Sequence, residues 1–190
     1  MALIQPGTSQ EERWDPDEWA AIAARVRDLT VAAAADRPDL VLWPEGATAY
    51  RIDADLGFAS QLVDLAAALD ADLLLNAVGG SQAAGWSNSA YLVQPAGVSP
   101  VRYDKVRLVP FGEYIPGWAR LAFTDALVRE VAGFRPGSSV TLLPARRATV
   151  GMAICYEVVF PEHVAAEVRQ GAELLATLTN DGWYGFSWAP

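Results

Sequence analysis

Residues 149–179, "TVGMAICYEVVFPEHVAAEVRQGAELLATLT", contain the pattern that decides the fold. The apolar run 149–155 predicts a buried strand, and Pro161 then starts a helical segment that ends at Gly171. A second apolar run at 173–179 predicts another strand. A strand, a helix and a further strand in succession are typical of an α/β domain, in which helices cover a buried sheet.

The same alternation continues through the rest of the chain. No repeat, low-complexity tract or linker divides it, so the pattern predicts a single α/β domain with one central core. A helix is expected to begin at Pro16, with Asp15 as its N-cap and Glu18 completing a capping box. The other predicted elements are strands over 2–6, 39–43, 72–78 and 89–94 and a helix over about 55–70.

Composition limits the classes of function that need to be considered. Of the 190 residues, 52% are hydrophobic and only 19% are charged, which suits a sheet buried on both faces. The formal net charge of −9 repels phosphate backbones, so no nucleic-acid partner is expected. The N-terminus lacks the pattern of a signal peptide, and no run approaches the roughly 18 apolar residues of a membrane span. The chain as given is therefore expected to be soluble.

Three residues that can carry chemistry lie where a predicted strand or extended run ends. Glu45 follows "LVLWP", Lys105 lies within "VRYDKVRLVPFGEY", and Cys155 ends "TVGMAIC". Groups just beyond the strand ends of an α/β sheet converge on a shared crevice. Each residue also has an ordinary structural explanation, as a buried core cysteine, a turn-capping glutamate and a surface lysine. Spacing alone leaves both interpretations open.

The chemistry of a thiol gives a reason to consider the three residues together. A free thiol has a pKa of about 8.5, so a catalytic cysteine needs a nearby base or cation. His163, the only histidine, lies eight residues past Cys155 and is expected to be exposed or to serve packing. A glutamate base with a lysine cation is the remaining way to activate the thiol. One cysteine and one histidine also cannot supply the ligand spacings of a zinc site.

Four sequence blocks resemble a known family. "LVLWPEGA", "YDKVRLVPFGEYIP" and "GMAICYEVVFPEHV" are similar, in order, to the signature blocks of the nitrilase (carbon–nitrogen hydrolase) superfamily. The longer form "KVRLVPFGEYIP", the "CYE" after the strand and "TNDGWYG" near the end resemble more specifically the catalytic domain of the apolipoprotein N-acyltransferase family, membrane enzymes that complete bacterial lipoproteins. The blocks span nearly the whole chain. The resemblance implies a single nitrilase-like αββα sandwich.

The resemblance also implies roles for individual residues. Glu45 matches the family's general base, Lys105 its oxyanion-stabilising lysine and Cys155 its nucleophile. The backbone N–H of Tyr156 is a candidate second oxyanion donor. Asn88 falls at a position that is expected to be structural. The supporting and substrate-binding residues implied by the resemblance are Glu113, Tyr156, Glu157 and Trp183.

The implied reaction is a ping-pong acyl transfer that needs no metal and no organic cofactor. Cys155 takes a fatty acyl group from a phospholipid as a thioester, and the N-terminal amine of a diacylglyceryl-modified apolipoprotein accepts it. The implied location is the cell membrane, with the catalytic domain on the extracytoplasmic (periplasmic) face. Residues 110–139 are expected to form a lid-like excursion that meets lipid, with Trp118 among its apolar residues.

The sequence departs from the family pattern at both ends. The family carries transmembrane helices ahead of this domain and continues past "NDGWYG", whereas this chain ends at Pro190. We therefore expect part of a larger membrane protein, incomplete at its C-terminus and weakly active or inactive alone. Two alternatives stay open: a soluble nitrilase-type amidase that hydrolyses a small carboxamide, and a non-catalytic remnant or interaction domain.

Overall fold

The computed structural model of the chain describes residues 1–117, 133–180 and 182. Within this part, no helix is long and apolar enough to cross a membrane. The strands are β1 (Ala2–Leu3), β2 (Leu40–Leu42), β3 (Asp72–Ser81), β4 (Gly85–Gln94), β5 (Gly97–Asp104), β6 (Leu143–Pro144), β7 (Thr149–Ile154) and β8 (Leu174–Leu178). The helices are α1 (Gln10–Trp14), α2 (Trp19–Ala32), α3 (Leu56–Leu69) and α4 (Pro161–Arg169).

The strands form two sheets. The first has the order β1-β2-β3-β4-β5. β1, β2 and β3 are parallel to one another, β4 is antiparallel to β3, and β5 is antiparallel to β4. The second has the order β6-β7-β8, with β7 and β8 parallel. In this second sheet Ile154 lies opposite Leu178, so the ends of β7 and β8 are aligned.

Alternate side chains of β3 separate two apolar layers, because successive residues of a strand point to opposite faces. Leu73 and Leu75 belong to the cluster that α2 and α3 form with the first sheet. Leu74 belongs to the other cluster, which contains Met152 and Ile154 of the second sheet. The central strand β3 is therefore buried on both faces, as its apolar run "DLLLNAV" predicts.

The helix α4 covers the outer face of the second sheet. His163 of α4 lies with its Nε2 atom 3.2 Å from the carbonyl oxygen of Met152. Gly151 makes room for the helix, because a Cβ atom at this position would lie 2.9 Å from the Cβ of Glu167. The layers are therefore, in order, helices α2 and α3, the first sheet, the second sheet and α4. The predicted αββα sandwich in a single domain is confirmed.

Local details differ from the sequence prediction in three places. The first strand is shorter than 2–6, and its continuation contributes only a hydrogen bond from the N–H of Ile4 to the carbonyl of Leu42. The capping box forms between Ser9 and Glu12 at α1, rather than between Asp15 and Glu18. β5 is not among the predicted strands, because polar residues and a proline interrupt its pattern. Of the predicted excursion 110–139, positions 118–132, which include Trp118, lie outside the described residues.

Replacing Leu74 with alanine tests the layer between the sheets. Leu74 is fully buried there, so Leu74→Ala should lower the free energy of unfolding by about 3 kcal/mol through lost burial and a residual cavity. Urea unfolding followed by circular dichroism measures the change. The control Leu56→Ala, at a leucine that is 81% exposed, should stay within about 0.5 kcal/mol. Equal losses in both variants would contradict this layer assignment.

Candidate active site

The ends of three strands bring Glu45, Lys105 and Cys155 together. Glu45 follows β2 of the first sheet by three residues, Lys105 follows β5 directly, and Cys155 follows β7 of the second sheet directly. The Nζ atom of Lys105 lies 4.0 Å from Oε1 of Glu45. Both charged groups also act on the pKa of the Cys155 thiol, which is half-buried between them.

Cys155 occupies a sharp turn between β7 and α4. Its φ of 52° is in the left-handed region, which non-glycine residues rarely adopt and which stores backbone strain. The turn continues as a 3₁₀ helix over Cys155–Val159. The backbone N–H of Tyr156 donates a hydrogen bond to the sulfur of Cys155. This geometry presents the thiol at the end of the sheet with a backbone donor beside it.

Glu157 connects this turn to the segment that carries Lys105. Its side chain is fully buried, and one carboxylate oxygen accepts a hydrogen bond from the N–H of Ile154 at 2.9 Å. The other oxygen accepts from the backbone N–H groups of Val106 and Arg107 at 2.7 and 2.8 Å. The hydroxyl of Tyr103 donates to the same carboxylate at 2.7 Å. Glu157 therefore holds two loops together rather than facing substrate.

Lys105 forms a buried ion cluster with two glutamates. Its side chain is 1% exposed, and its ammonium lies 2.9 Å from Oε2 and 3.1 Å from Oε1 of Glu113. The Oε2 atom of Glu113 also accepts a hydrogen bond from the N–H of Val109 at 2.8 Å. Glu45 is the second carboxylate near the ammonium, so one cation faces two anions in a site with little water.

Asn88, which the sequence analysis expected to be structural, joins the two carboxylates. Its Nδ2 group donates to Oε1 of Glu45 at 3.0 Å and to Oε1 of Glu113 at 2.8 Å. Its backbone carbonyl accepts from the N–H of Lys105 at 2.8 Å. Behind it, Nδ2 of Asn76 donates to Oδ1 of Asn88 at 2.6 Å. The signal in the sequence that could have identified Asn76 is its position as a polar residue inside the apolar run "DLLLNAV".

Thr179 is a further contact of the site that the sequence analysis did not single out. It follows β8, and the register of β7 and β8 sets it beside Cys155. Its side chain hydrogen-bonds the thiol of Cys155. Its backbone carbonyl accepts from the N–H of Glu45 at 3.3 Å, which links the two sheets at the site. A prediction that β7 and β8 pair in parallel would have placed Thr179 beside Cys155.

Burial changes the acid–base properties of both reactive groups. Burial raises the pKa of Glu45, and the charge of Lys105 and the hydrogen bond from Asn88 oppose this rise. Burial and the negative charge of Glu45 raise the pKa of the Cys155 thiol. The buried Oε2 atom of Glu45 makes no ordinary hydrogen bond to the described residues and is available for a proton. Both shifts disfavour the charged forms, so the thiol holds its proton more tightly than a free cysteine does.

The remaining predicted residues lie around this centre. The side chain of Tyr156 is 41% exposed and packs edge-on against Phe160. His163 is buried, as a packing role requires, with its Nε2 atom 3.3 Å from the hydroxyl of Tyr103. Trp183 lies outside the described residues. In the described ranges, no cluster of three or more His, Cys, Asp or Glu side chains is arranged to hold a metal ion.

An open groove of about 470 Å³ adjoins the turn that contains Cys155. Its walls come from the segment after Lys105, from the turn itself and from the chain around residue 134. The guanidinium of Arg107 lies 5.2 Å from the ring centre of Phe160 at this groove. The aromatic residues that line it are Tyr114, Phe134, Tyr156 and Phe160. The groove offers a mainly apolar surface beside the turn, where it reaches Tyr156, the residue after Cys155.

Residues 1–190, the whole chain, match the sequence pattern of the family described as carbon-nitrogen hydrolase. The chain is a carbon-nitrogen hydrolase family member. It is similar to the apolipoprotein N-acyltransferase of Geobacter metallireducens, with 38% identity over the whole chain, and to that of Chlorobaculum tepidum, with 30% identity. The chain spans 37% and 41% of the length of these two relatives.

Solved structures show the same carbon-nitrogen hydrolase fold. An amidase from Nesterenkonia sp. AN1 superposes with a TM-score of 0.65 at 23% identity, covering 93% of this chain and 65% of the amidase. That form shows acrylamide added to the active-site cysteine of the amidase. A glutamine-dependent NAD⁺ synthetase from Acinetobacter baumannii superposes with a TM-score of 0.57 at 16% identity, covering 85% of this chain and 29% of the synthetase. At these identities the likeness concerns the fold.

The raised pKa of Cys155 can be measured directly, because it is the only cysteine in the chain. The rate of iodoacetamide labelling should reach its thiolate plateau at a higher pH than the rate for free N-acetylcysteine. Glu45→Gln removes the adjacent negative charge, so the midpoint of this alkaline thiolate plateau should move down toward the free-thiol value, whereas any labelling at lower pH in which Glu45 takes the thiol proton should be lost. The matched control Glu162→Gln, at an exposed glutamate of α4, should leave the midpoint in place. A wild-type midpoint below that of the free thiol would contradict the expected environment.

Proposed function

We propose that this chain carries the catalytic site of an apolipoprotein N-acyltransferase, with Glu45 as base, Lys105 as oxyanion-stabilising cation and Cys155 as nucleophile. The observation that carries the proposal is the buried Glu45–Lys105–Glu113 cluster beside the thiol, in a chain whose whole length is similar to enzymes of that name. The acyl donor in this proposal is a phospholipid, and the acceptor is a diacylglyceryl-modified apolipoprotein.

In the first half-reaction, Glu45 accepts the thiol proton as the sulfur of Cys155 attacks an ester carbonyl of the phospholipid. A carbon–sulfur bond forms, and the carbonyl oxygen becomes an oxyanion. Lys105 and the backbone N–H of Tyr156 stabilise that charge. The carbon–oxygen bond then breaks, and the proton held by Glu45 passes to the departing lysophospholipid. A thioester remains on Cys155.

In the second half-reaction, the N-terminal amine of the apolipoprotein attacks the thioester. The new carbon–nitrogen bond forms, Glu45 removes a proton from the attacking amine, and the carbon–sulfur bond breaks. Proton return to the sulfur restores the thiol of Cys155. Glu113 lies between Lys105 and Asn88, where its charge can hold the lysine and attract a cationic amine before deprotonation.

The groove beside Cys155 supports a lipid substrate. Its aromatic walls suit an acyl chain better than a small, polar carboxamide. The phospholipid donor puts the reaction at a membrane surface, on the extracytoplasmic face in this proposal. Residues 110–139 remain our proposed lid, and among its described residues Pro110, Tyr114, Phe134 and Pro136 line the groove. Tyr156 lines the groove and Glu157 holds the Cys155 turn in place, and Trp183 stays a proposed substrate-binding residue on the sequence resemblance.

Acylation of Cys155 by phospholipid tests the proposal. Incubation with phosphatidylethanolamine vesicles should add one fatty acyl mass to Cys155, detected by intact-mass spectrometry and removed by neutral hydroxylamine. Cys155→Ala should show no adduct. Glu45→Gln should slow thioester formation about 10²- to 10⁴-fold, the usual contribution of a general base.

A parallel incubation with glutamine and with butyramide separates the acyltransferase from an amidase. Ammonia release from the amides with no acyl adduct from the vesicles would overturn the proposal in favour of a small-amide hydrolase. An adduct from neither donor, with a Cys155 that iodoacetamide labels only at the rate of a denatured control, would favour a non-catalytic domain.

A further inference from the structure

The two buried asparagines next to the charged cluster have every polar side-chain atom occupied. Asn88 uses both N–H bonds on Glu45 and Glu113, and its Oδ1 accepts from Asn76. The second N–H of Asn76 goes to the carbonyl of Ser89 at 3.0 Å. Its Oδ1 accepts from the backbone N–H of Gly46 at 2.9 Å. The asparagines are 5% and 8% exposed, so water does not compete for these bonds.

This set of bonds fixes which way each amide points. A reversed Asn88 would turn its oxygen toward two carboxylates, and a reversed Asn76 would face two carbonyl oxygens. Asn76 also holds the backbone N–H of Gly46, the residue directly after Glu45. Gly46 has a φ of 63°, and a Cβ atom there would meet the side chain of Arg13. The position of Glu45 is thus set from both its side chain and its backbone.

The electrostatic need for these amides follows from the charges at the site. Lys105 supplies one positive charge, whereas Glu45 and Glu113 together supply two negative charges. A hydrogen bond donated to a carboxylate favours its ionised form. The two N–H groups of Asn88 therefore compensate the charge that the single ammonium does not.

We propose that Asn76 and Asn88 are positioning residues that keep Glu45 ionised and aligned as the base, Asn88 by direct contact and Asn76 by fixing the amide of Asn88. This inference rests on the proposed function in one respect, the assignment of Glu45 as the base. Asn88 shares its donors between the base and Glu113, so the two carboxylates are held as one unit.

Other charged groups also face Glu45 and are kept constant in the test. Lys105 lies 4.0 Å from its carboxylate, and Glu113 and the thiol of Cys155 act on its pKa. Arg13 of α1 donates to the backbone carbonyl of Glu45 at 3.0 Å. Substitution of the asparagines leaves all four groups in place.

The test follows the rate of iodoacetamide labelling of Cys155 between pH 4 and pH 8. At pH values too low for free thiolate to account for the labelling, the labelling rate should rise with pH as Glu45 ionises and becomes able to take the thiol proton. Asn88→Ala removes a bond that favours ionised Glu45, so this rise should move to higher pH. At a pH below the wild-type midpoint, labelling should be about tenfold slower, the effect of losing one charge-assisted hydrogen bond.

Three further variants make the result specific. Asn88→Asp adds a third carboxylate and should move the rise further than Asn88→Ala does. Asn76→Ala should move it in the same direction by less, and the Asn76→Ala/Asn88→Ala double variant should move it by clearly less than the sum of the two single shifts. The control is Ser89→Ala, next to Asn88 on β4. It removes the hydrogen bond from the Ser89 hydroxyl to Asp104 of β5, so it should lower stability without moving the rise.

An unmoved rise in folded Asn88→Ala, or additive effects of the two alanine variants, would overturn the inference. If Asn76→Ala does not fold by circular dichroism, the two Asn88 variants decide the outcome. The labelling needs no phospholipid, so its result is separate from the acylation test. A shifted rise without any acyl adduct would leave the positioning role in place and remove the acyltransferase.

Discussion

The candidate site depends on one buried carboxylate, that of Glu157, which accepts hydrogen bonds from the chain segments that follow the two sheets. Its donors are the N–H of Ile154 at the end of the second sheet and the N–H groups of Val106 and Arg107 after the first. This link helps to hold the left-handed backbone of Cys155, a conformation that costs about 1–3 kcal/mol in a residue other than glycine. A fully buried carboxylate with several donors satisfies the rule that buried charge must be paired or hydrogen-bonded.

The second constraint is an excess of negative charge beside the thiol. Two carboxylates share one ammonium, so the raised pKa of Glu45 reflects burial that Lys105 and Asn88 offset only in part. The raised pKa of Cys155 follows from the same arrangement, because a thiolate would add one more anion. The site is therefore suited to move a proton during attack rather than to store a thiolate beforehand. This property suits a base that hands the same proton to a departing group.

The sequence allowed the layered α/β fold to be predicted, because the apolar runs that became β3 and β7 are long and the strand–helix–strand order is clear. It also brought forward Glu45, Lys105 and Cys155, since each follows such a run. The contacts of Asn76 and Thr179 escaped prediction because they depend on the register between paired strands, which the apolar pattern of each strand does not give. The capping box forms at Ser9 rather than Asp15, although both segments have a capping residue followed by glutamate three positions later; Asp15 still caps the short 3₁₀ helix that follows it.

The hydrogen bond from the N–H of Glu45 to the carbonyl of Thr179 crosses the boundary between the two sheets. One sheet carries the carboxylate and the ammonium, and the other carries the sulfur, so their separation is set by how the sheets lie against each other. A small slide between them would lengthen the proton-transfer distance without breaking either sheet. The apolar layer that contains Leu74 and Met152 thus sets the distance between the sulfur and the two charged groups. In the proposed mechanism, loosening this layer would therefore slow proton transfer from Cys155 to Glu45 while both sheets stay intact.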